Sequence, residues 1–133
     1  MVIDTSALMA MFLNEPECTV FEDLILKDTV RMISAVTLFE AGMVVEIRLG
    51  PTGAQVFDRF LRRSAIEVAP VDGELAREAL TAWRRYGKGR HAAGLNFGDC
   101  FSYALAQSTG EPLLAKGDDF PRTDVVLCWP QAT

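Results

Sequence analysis

Short apolar runs alternate along the chain with stretches in which apolar residues recur every three or four positions, a pattern that predicts strands interleaved with helices. Residues 1–3 form the first apolar run, with Asp4 at its end. Residues 15–27 carry Val20, Phe21, Leu24 and Ile25 at helical spacing, and residues 30–33 form a second apolar run. Ser34 then stands as an N-cap for a helix to about Leu49, which Gly50 and Pro51 stop. Residues 52–64 predict a further helix with Val56, Phe57, Phe60 and Leu61 on one face, and residues 66–71 read as a strand. Asp72 caps a helix to about Tyr86, and a Gly-, Arg- and Lys-rich loop follows over residues 87–94. Another helix begins at Phe97 or Gly98 and ends at Thr109-Gly110, ahead of strands at residues 112–115 and 125–128. Strands and helices in alternation, joined by short connections, predict an α/β fold: a three-layer α/β/α sandwich around a mainly parallel central sheet.

Composition adds bounds. At 133 residues, half of them hydrophobic and 23% charged, the chain suits a single domain over residues 1–133 with a core of its own. No basic stretch precedes an apolar run, and no apolar segment nears the roughly 18 residues that span a bilayer, so a soluble cytoplasmic protein without membrane contact is expected. Cys18, Cys100 and Cys128 are odd in number, widely separated and set among apolar neighbours, which predicts reduced thiols. The lone histidine, His91, lies in the Gly/Arg-rich loop; that argues against His-rich zinc sites and a Ser-His-Asp hydrolase. A net charge of −5 speaks against a nucleic-acid binder only if the acids are spread evenly.

They are not. In a parallel sheet the carboxyl end of each strand and the amino end of the next helix share one edge, where ligands bind. Asp4 follows the first strand, Glu40 lies in the second turn after the next, Asp99 opens a helix, and Asp118 and Asp119 follow the strand at residues 112–115. Each acid has a plain structural reading: Asp4 and Asp99 suit helix N-termini, and the Asp118-Asp119 pair suits a turn before Phe120. Glu40 rises from a stripe of Val36, Thr37, Met43 and Val44, where a carboxylate requires a cation, a proton or an arginine partner. Independent caps have no reason to converge on one edge. Clustered carboxylates are stabilised by a hard divalent cation such as Mg²⁺ or Mn²⁺, and such a site suits phosphodiester cleavage by an activated water.

The ordered set MVIDTSAL, Glu40 within ISAVTLFEAG, Asp99 within LNFGDCFSYALAQSTGEPLL, and KGDDF resembles the PIN domain, specifically the VapC-type toxin ribonuclease of bacterial toxin–antitoxin pairs. The resemblance spans essentially the whole chain. It implies a PIN-like fold, an Mg²⁺- or Mn²⁺-dependent endoribonuclease acting on RNA, a VapB-like antitoxin as inhibitor and partner, and a toxin homodimer within the larger complex. Carried across, Asp4, Glu40 and Asp99 take the family's acidic places as catalytic metal-site residues, with Thr5 or Ser6 supplying a hydroxyl that orients a carboxylate or water. Many relatives have Thr-x-Asp after the last catalytic-edge strand. This chain has Ala115-Lys116-Gly117 followed by Asp118-Asp119, so the Thr is absent and the acid displaced; Asp118 is favoured for the metal edge and Asp119 as a cap on the turn before Phe120, with the choice between them open.

Substrate would meet the basic stretch holding Arg84, Arg85, Lys88 and Arg90, together with Lys116, which either contacts phosphate or holds an acid's charge in the free protein. Arg59, Arg62 and Arg63 suggest a second basic surface. Trp83, Tyr86 and Trp129 offer base stacking or packing. Met9, Met11, Phe12, Leu13, Val20, Phe21, Leu24 and Ile25 either complete the core or form a groove for a partner helix, as the resemblance implies for the antitoxin. Two alternatives come from other classes. One is a non-catalytic module that only binds an antitoxin. The other is a receiver domain, which would need an acidic pair after the first strand and a phosphoacceptor on a middle strand.

Overall fold

A computed structural model of the chain describes residues 1–130. Its elements run β1 (Val2–Ile3), α1 (Thr5–Phe12), α2 (Cys18–Lys27), β2 (Met32–Ser34), α3 (Ala35–Arg63), β3 (Glu67–Ala69), α4 (Gly73–Tyr86), α5 (Phe97–Thr109) and β4 (Leu113–Leu114), then a 3₁₀ turn at Phe120–Arg122. The four strands pair in parallel in the order β3-β2-β1-β4, which puts β1 between β2 and β4. Val2 lies opposite both Met32 and Leu113, and Ile3 opposite Leu114.

Alternation along the strands divides the apolar residues between two cores. Ile3, Ile33 and Leu114 join Leu8, Phe21, Val45 and Phe57 on the side of α1, α2 and α3. Val2 and Leu113 face the other way, against Leu75, Tyr86, Tyr103 and Leu105 of α4 and α5. Helices thus cover both faces of the parallel sheet, giving the expected three layers. Full burial of a side chain such as Ile33 or Leu114 contributes about 1.5–3 kcal/mol, which is why strands of two or three residues suffice.

The predicted caps form. Ser34 Oγ accepts the Thr37 N–H at 3.1 Å, and Asp72 accepts from Leu75 N–H at 2.9 Å. The expected stop at Gly50-Pro51 is a break inside α3: Gly50 has φ 71° and ψ −170°, a conformation that glycine alone adopts at small cost, and helix resumes beyond it. The last predicted strand, residues 125–128, is reduced to one bridge, Leu127 with Leu113, held by Leu113 N–H to Val126 O at 2.8 Å and Cys128 N–H to Leu113 O at 2.9 Å. The reason is packing. Val125 belongs to the α4–α5 core while Trp129 packs edge-on against Phe21 in the other, 5.2 Å between ring centres, so the segment crosses the sheet edge rather than following it.

Most of the apolar excess in the first two helices completes this second core. Met11, Phe21 and Ile25 are buried, Met9, Phe12 and Leu24 pack against them, and Val20 and Leu26 stay exposed. Among the described residues no helix is long and apolar enough to cross a membrane.

Candidate active site

Asp4 leaves β1 at the carboxyl edge of the sheet and is 3% exposed. Burial of a carboxylate requires donors, and three are supplied. Ser6 gives its N–H at 3.0 Å and its hydroxyl at 2.6 Å to Oδ2, and Ser102 Oγ donates to Oδ1 at 2.6 Å. The Ser6 hydroxyl in turn accepts the Lys116 N–H at 2.9 Å. One side chain therefore links the end of β1 to the segment after β4. Asp4 is also the N-cap of α1, so its structural and site roles coincide.

Glu40 reaches the same edge from α3. Its Oε1 accepts a hydrogen bond from Thr5 Oγ1 at 2.6 Å, so Thr5 orients Glu40 and Ser6 orients Asp4. Asp99 stands at the third position of α5. Its Oδ2 accepts the Asn96 N–H at 3.0 Å, and Asn96 Oδ1 accepts the Asp99 N–H at 2.9 Å, a reciprocal capping box. Burial, chiefly, together with the charges of Asp4, Asp119 and Glu40, pushes the Asp99 carboxyl up to about 7, against the hydrogen bond from Asn96. Carboxylates from three other parts of the chain thus act on Asp99 at this edge.

The sequence left the fourth acid open between Asp118 and Asp119. It favoured Asp118 for the metal edge and Asp119 as a turn cap. Among the described residues the Asp119 side chain makes no capping hydrogen bond, and it is the charge of Asp119 that reaches Asp99. Phe120 is buried as the anchor of the 3₁₀ turn, for which Asp119 is the preceding cap position.

Lys116 turns to acids outside this cluster. Its ammonium pairs with Glu15 and with Glu17 at 3.1 Å, which realises the charge-holding role but on the segment between α1 and α2. In the basic stretch, Arg85 binds Asp124 at 3.1 Å and lies over the Tyr86 ring; Arg90 lies over Trp83, 4.7 Å from the ring centre. Asp124 also accepts from Tyr103, so Arg85 belongs to a clasp that fastens the chain end to α4 and α5. Arg84, Lys88 and Arg90 remain exposed. Tyr86 is buried and Trp129 packs on Phe21, so both are packing residues, while Trp83 is partly exposed. In the second basic group, Arg62 pairs with Asp58 at 2.5 Å.

Sequence reasoning missed three residues. Ser102 lies three positions after Asp99, on the same helical face, and that spacing was the available signal. Asn96 was visible as a cap residue three positions ahead of an acid. Gly98 carried no signal in the sequence.

Among the described residues no three Asp, Glu, His or Cys side chains form a closed coordination group. Glu40 is turned to Thr5 and Asp99 to Asn96, the arrangement that mutually repelling carboxylates adopt when each has a donor of its own. The donor chemistry nonetheless fits a hard divalent cation: every group is a carboxylate oxygen, with Asp4 buried and held by fixed donors.

Residues 1–126 match the PIN domain family. The VapC ribonuclease Mb0640 of Mycobacterium bovis is 48% identical over 125 residues, covering 94% of this chain and 95% of its own. A ribonuclease VapC of Mycolicibacterium smegmatis is 49% identical over 125 residues, covering 94% and 97%. Among solved structures, Mycobacterium tuberculosis VapC20, described as a sarcin-ricin-loop-cleaving toxin, superposes with a TM-score of 0.76 at 22% identity over 94% of this chain and 95% of that one. DNA-bound VapBC of Salmonella typhimurium superposes with a TM-score of 0.73 at 24% identity over 95% and 93%. The chain belongs to the PIN-domain family, in its VapC branch.

Proposed function

We propose that this protein is the toxin of a type II toxin–antitoxin pair: a cytoplasmic endoribonuclease that hydrolyses RNA phosphodiester bonds with Mg²⁺ or Mn²⁺. The observation that carries the reading is the meeting of Asp4, Glu40, Asp99 and Asp119 at the carboxyl edge of the sheet, with Asp99 raised toward 7 by burial and by the other three. Near-full-length identity to named VapC ribonucleases supports the RNA-cleaving activity. Asp4, Asp99 and Asp119 would hold the cation, with Glu40 beside them. When bound, the cation supplies activation of water and neutralisation of phosphate charge. The chain's own contributions are distinct. Ser6 and Ser102 fix both oxygens of Asp4, Thr5 fixes Glu40, and the Asn96 N–H fixes Asp99. Arg84 and Lys88, with Arg90 beside them over Trp83, are exposed and would hold RNA backbone, positioning it without reading its sequence. Purified protein should cleave RNA when Mg²⁺ or Mn²⁺ is supplied and stop in EDTA; mapping the product ends identifies the target. Cleavage that needs no divalent ion would sink the metal-dependent part of the reading.

A VapB-like antitoxin is the proposed inhibitor, supported by the VapBC assemblies among the structural neighbours. A second copy of the chain is the proposed occupant of an exposed apolar face. Phe39, Met43 and Ile47 recur every fourth residue on α3, with Phe39 71% and Ile47 75% exposed. Phe97, 75% exposed, lines one hollow of about 400 Å³ with Phe39 and Met43, and another of about 500 Å³ with Leu80 and Trp83. A continuous apolar face of this kind is what a homodimer covers. Phe39→Lys with Ile47→Lys should halve the mass seen by light scattering and leave the circular dichroism unchanged, since both side chains already face solvent. An unchanged mass would remove the second copy from this face.

A further inference from the structure

The first turn of α5 holds a glycine that its backbone does not require. Gly98 lies inside the helix with ordinary helical geometry, unlike the left-handed Gly50 or Gly110. Glycine is the poorest helix former after proline, so an alanine here would strengthen the turn if nothing else were nearby. Something is nearby. A Cβ at position 98 would stand 2.6 Å from Glu40 Oε1, 2.8 Å from Oε2 and 3.0 Å from Cδ, closer than non-bonded atoms approach.

The Glu40 carboxylate is the end of a flexible side chain and could swing away, but not without loss. Its Oε1 is held by the Thr5 hydroxyl at 2.6 Å, and Glu40 springs from a turn of α3 anchored by buried Thr37 and Ala41. Thr5 pulls the carboxylate in from the start of α1. The bare Cα of Gly98 gives it room against α5.

We propose that Gly98 is a positioning residue for Glu40: the missing side chain is what allows this carboxylate to lie against the first turn of α5, beside Asp99. The consequence for activity rests on the ribonuclease reading above; the geometric claim does not. Gly98→Ala should lower RNA cleavage at least tenfold without a gain in melting temperature. In a Glu40→Ala background the same substitution should raise the melting temperature by about 2–4 °C, because the helix gains and the obstruction is gone. Glu40→Asp draws the carboxylate back by one methylene, about 1.5 Å, and should restore part of the cleavage lost in Gly98→Ala. Equal stabilisation by Gly98→Ala in both backgrounds would overturn the proposal. Should Gly98→Ala fail to fold, a folded Glu40→Ala/Gly98→Ala double variant supports the proposal and an unfolded one overturns it. Absence of RNA cleavage by the wild type counts against the ribonuclease reading alone, and the melting temperatures still decide the role of Gly98.

Discussion

Asp4→Asn should lower RNA cleavage by about three orders of magnitude while leaving the fold in place, a loss in the range seen when a preorganised charge at a reaction centre is removed. The substitution keeps the shape and removes the charge. Asp4 is surrounded by Ser6 and Ser102 hydroxyls, which can accept as well as donate, so an amide can rotate into the same pocket without leaving either hydroxyl unpaired. Stability should change by no more than about 1 kcal/mol. Asp4→Ala is the harsher variant: it removes the N-cap of α1, worth about 1 kcal/mol, and strands the buried Ser102 hydroxyl. Cleavage rates measured beside urea denaturation separate the two effects. Asp4→Asn activity within tenfold of wild type would contradict a central role for this carboxylate.

Asp99→Asn should make the cation-free protein more stable at pH 8, an inverted result for a helix N-terminal acid. The sign follows from the raised carboxyl, from an ordinary 3.8 to about 7. Below about pH 4 the group is protonated in both folded and unfolded chains and contributes nothing. Between about pH 4 and 7 the unfolded chain ionises first, the folded chain binds more protons, and stability falls as pH rises. Above about 7 that loss is complete. A shift of about three units caps the loss near 4 kcal/mol, and the partial exposure of the side chain cuts it to about 1–2 kcal/mol. The asparagine variant should therefore gain about 1–2 kcal/mol over wild type at pH 8 in EDTA and nothing near pH 4, read by urea denaturation. Adding Mn²⁺ at pH 8 should stabilise the wild type and close the gap. Cleavage by Asp99→Asn should fall at least a hundredfold, because the residue that gains stability loses the charge the site needs.

How much of this was legible in the sequence depended on range. Ser34, Asp72 and the Gly50-Pro51 break are local signals, and each acts where it was read because a cap or a broken turn is decided by a few neighbouring residues. The strand at residues 125–128 was legible as an apolar run, but not as a crossing between two cores, since Val125 and Trp129 choose opposite sides of the sheet for tertiary reasons. Asp4, Glu40 and Asp99 could be placed at one edge from topology alone. Choosing between Asp118 and Asp119 could not be done that way, because it depends on where Phe120 anchors the turn. Lys116 and Arg85 illustrate a further limit: a cation near a site in sequence takes whichever carboxylates packing delivers, here Glu15 with Glu17, and Asp124. Gly98 was silent because its reason for being glycine is a carboxylate on another helix.

On the proposed function, the acids gathered at the sheet edge form the site of a divalent-cation-dependent ribonuclease. The most direct measurement is RNA cleavage by the purified chain and by Asp4→Asn, side by side, in EDTA and after Mn²⁺ is restored. The wild type should cleave with Mn²⁺ only, and the variant about a thousandfold less under the same conditions. Cleavage that persists in EDTA, or that Asp4→Asn retains at the wild-type rate, would contradict it.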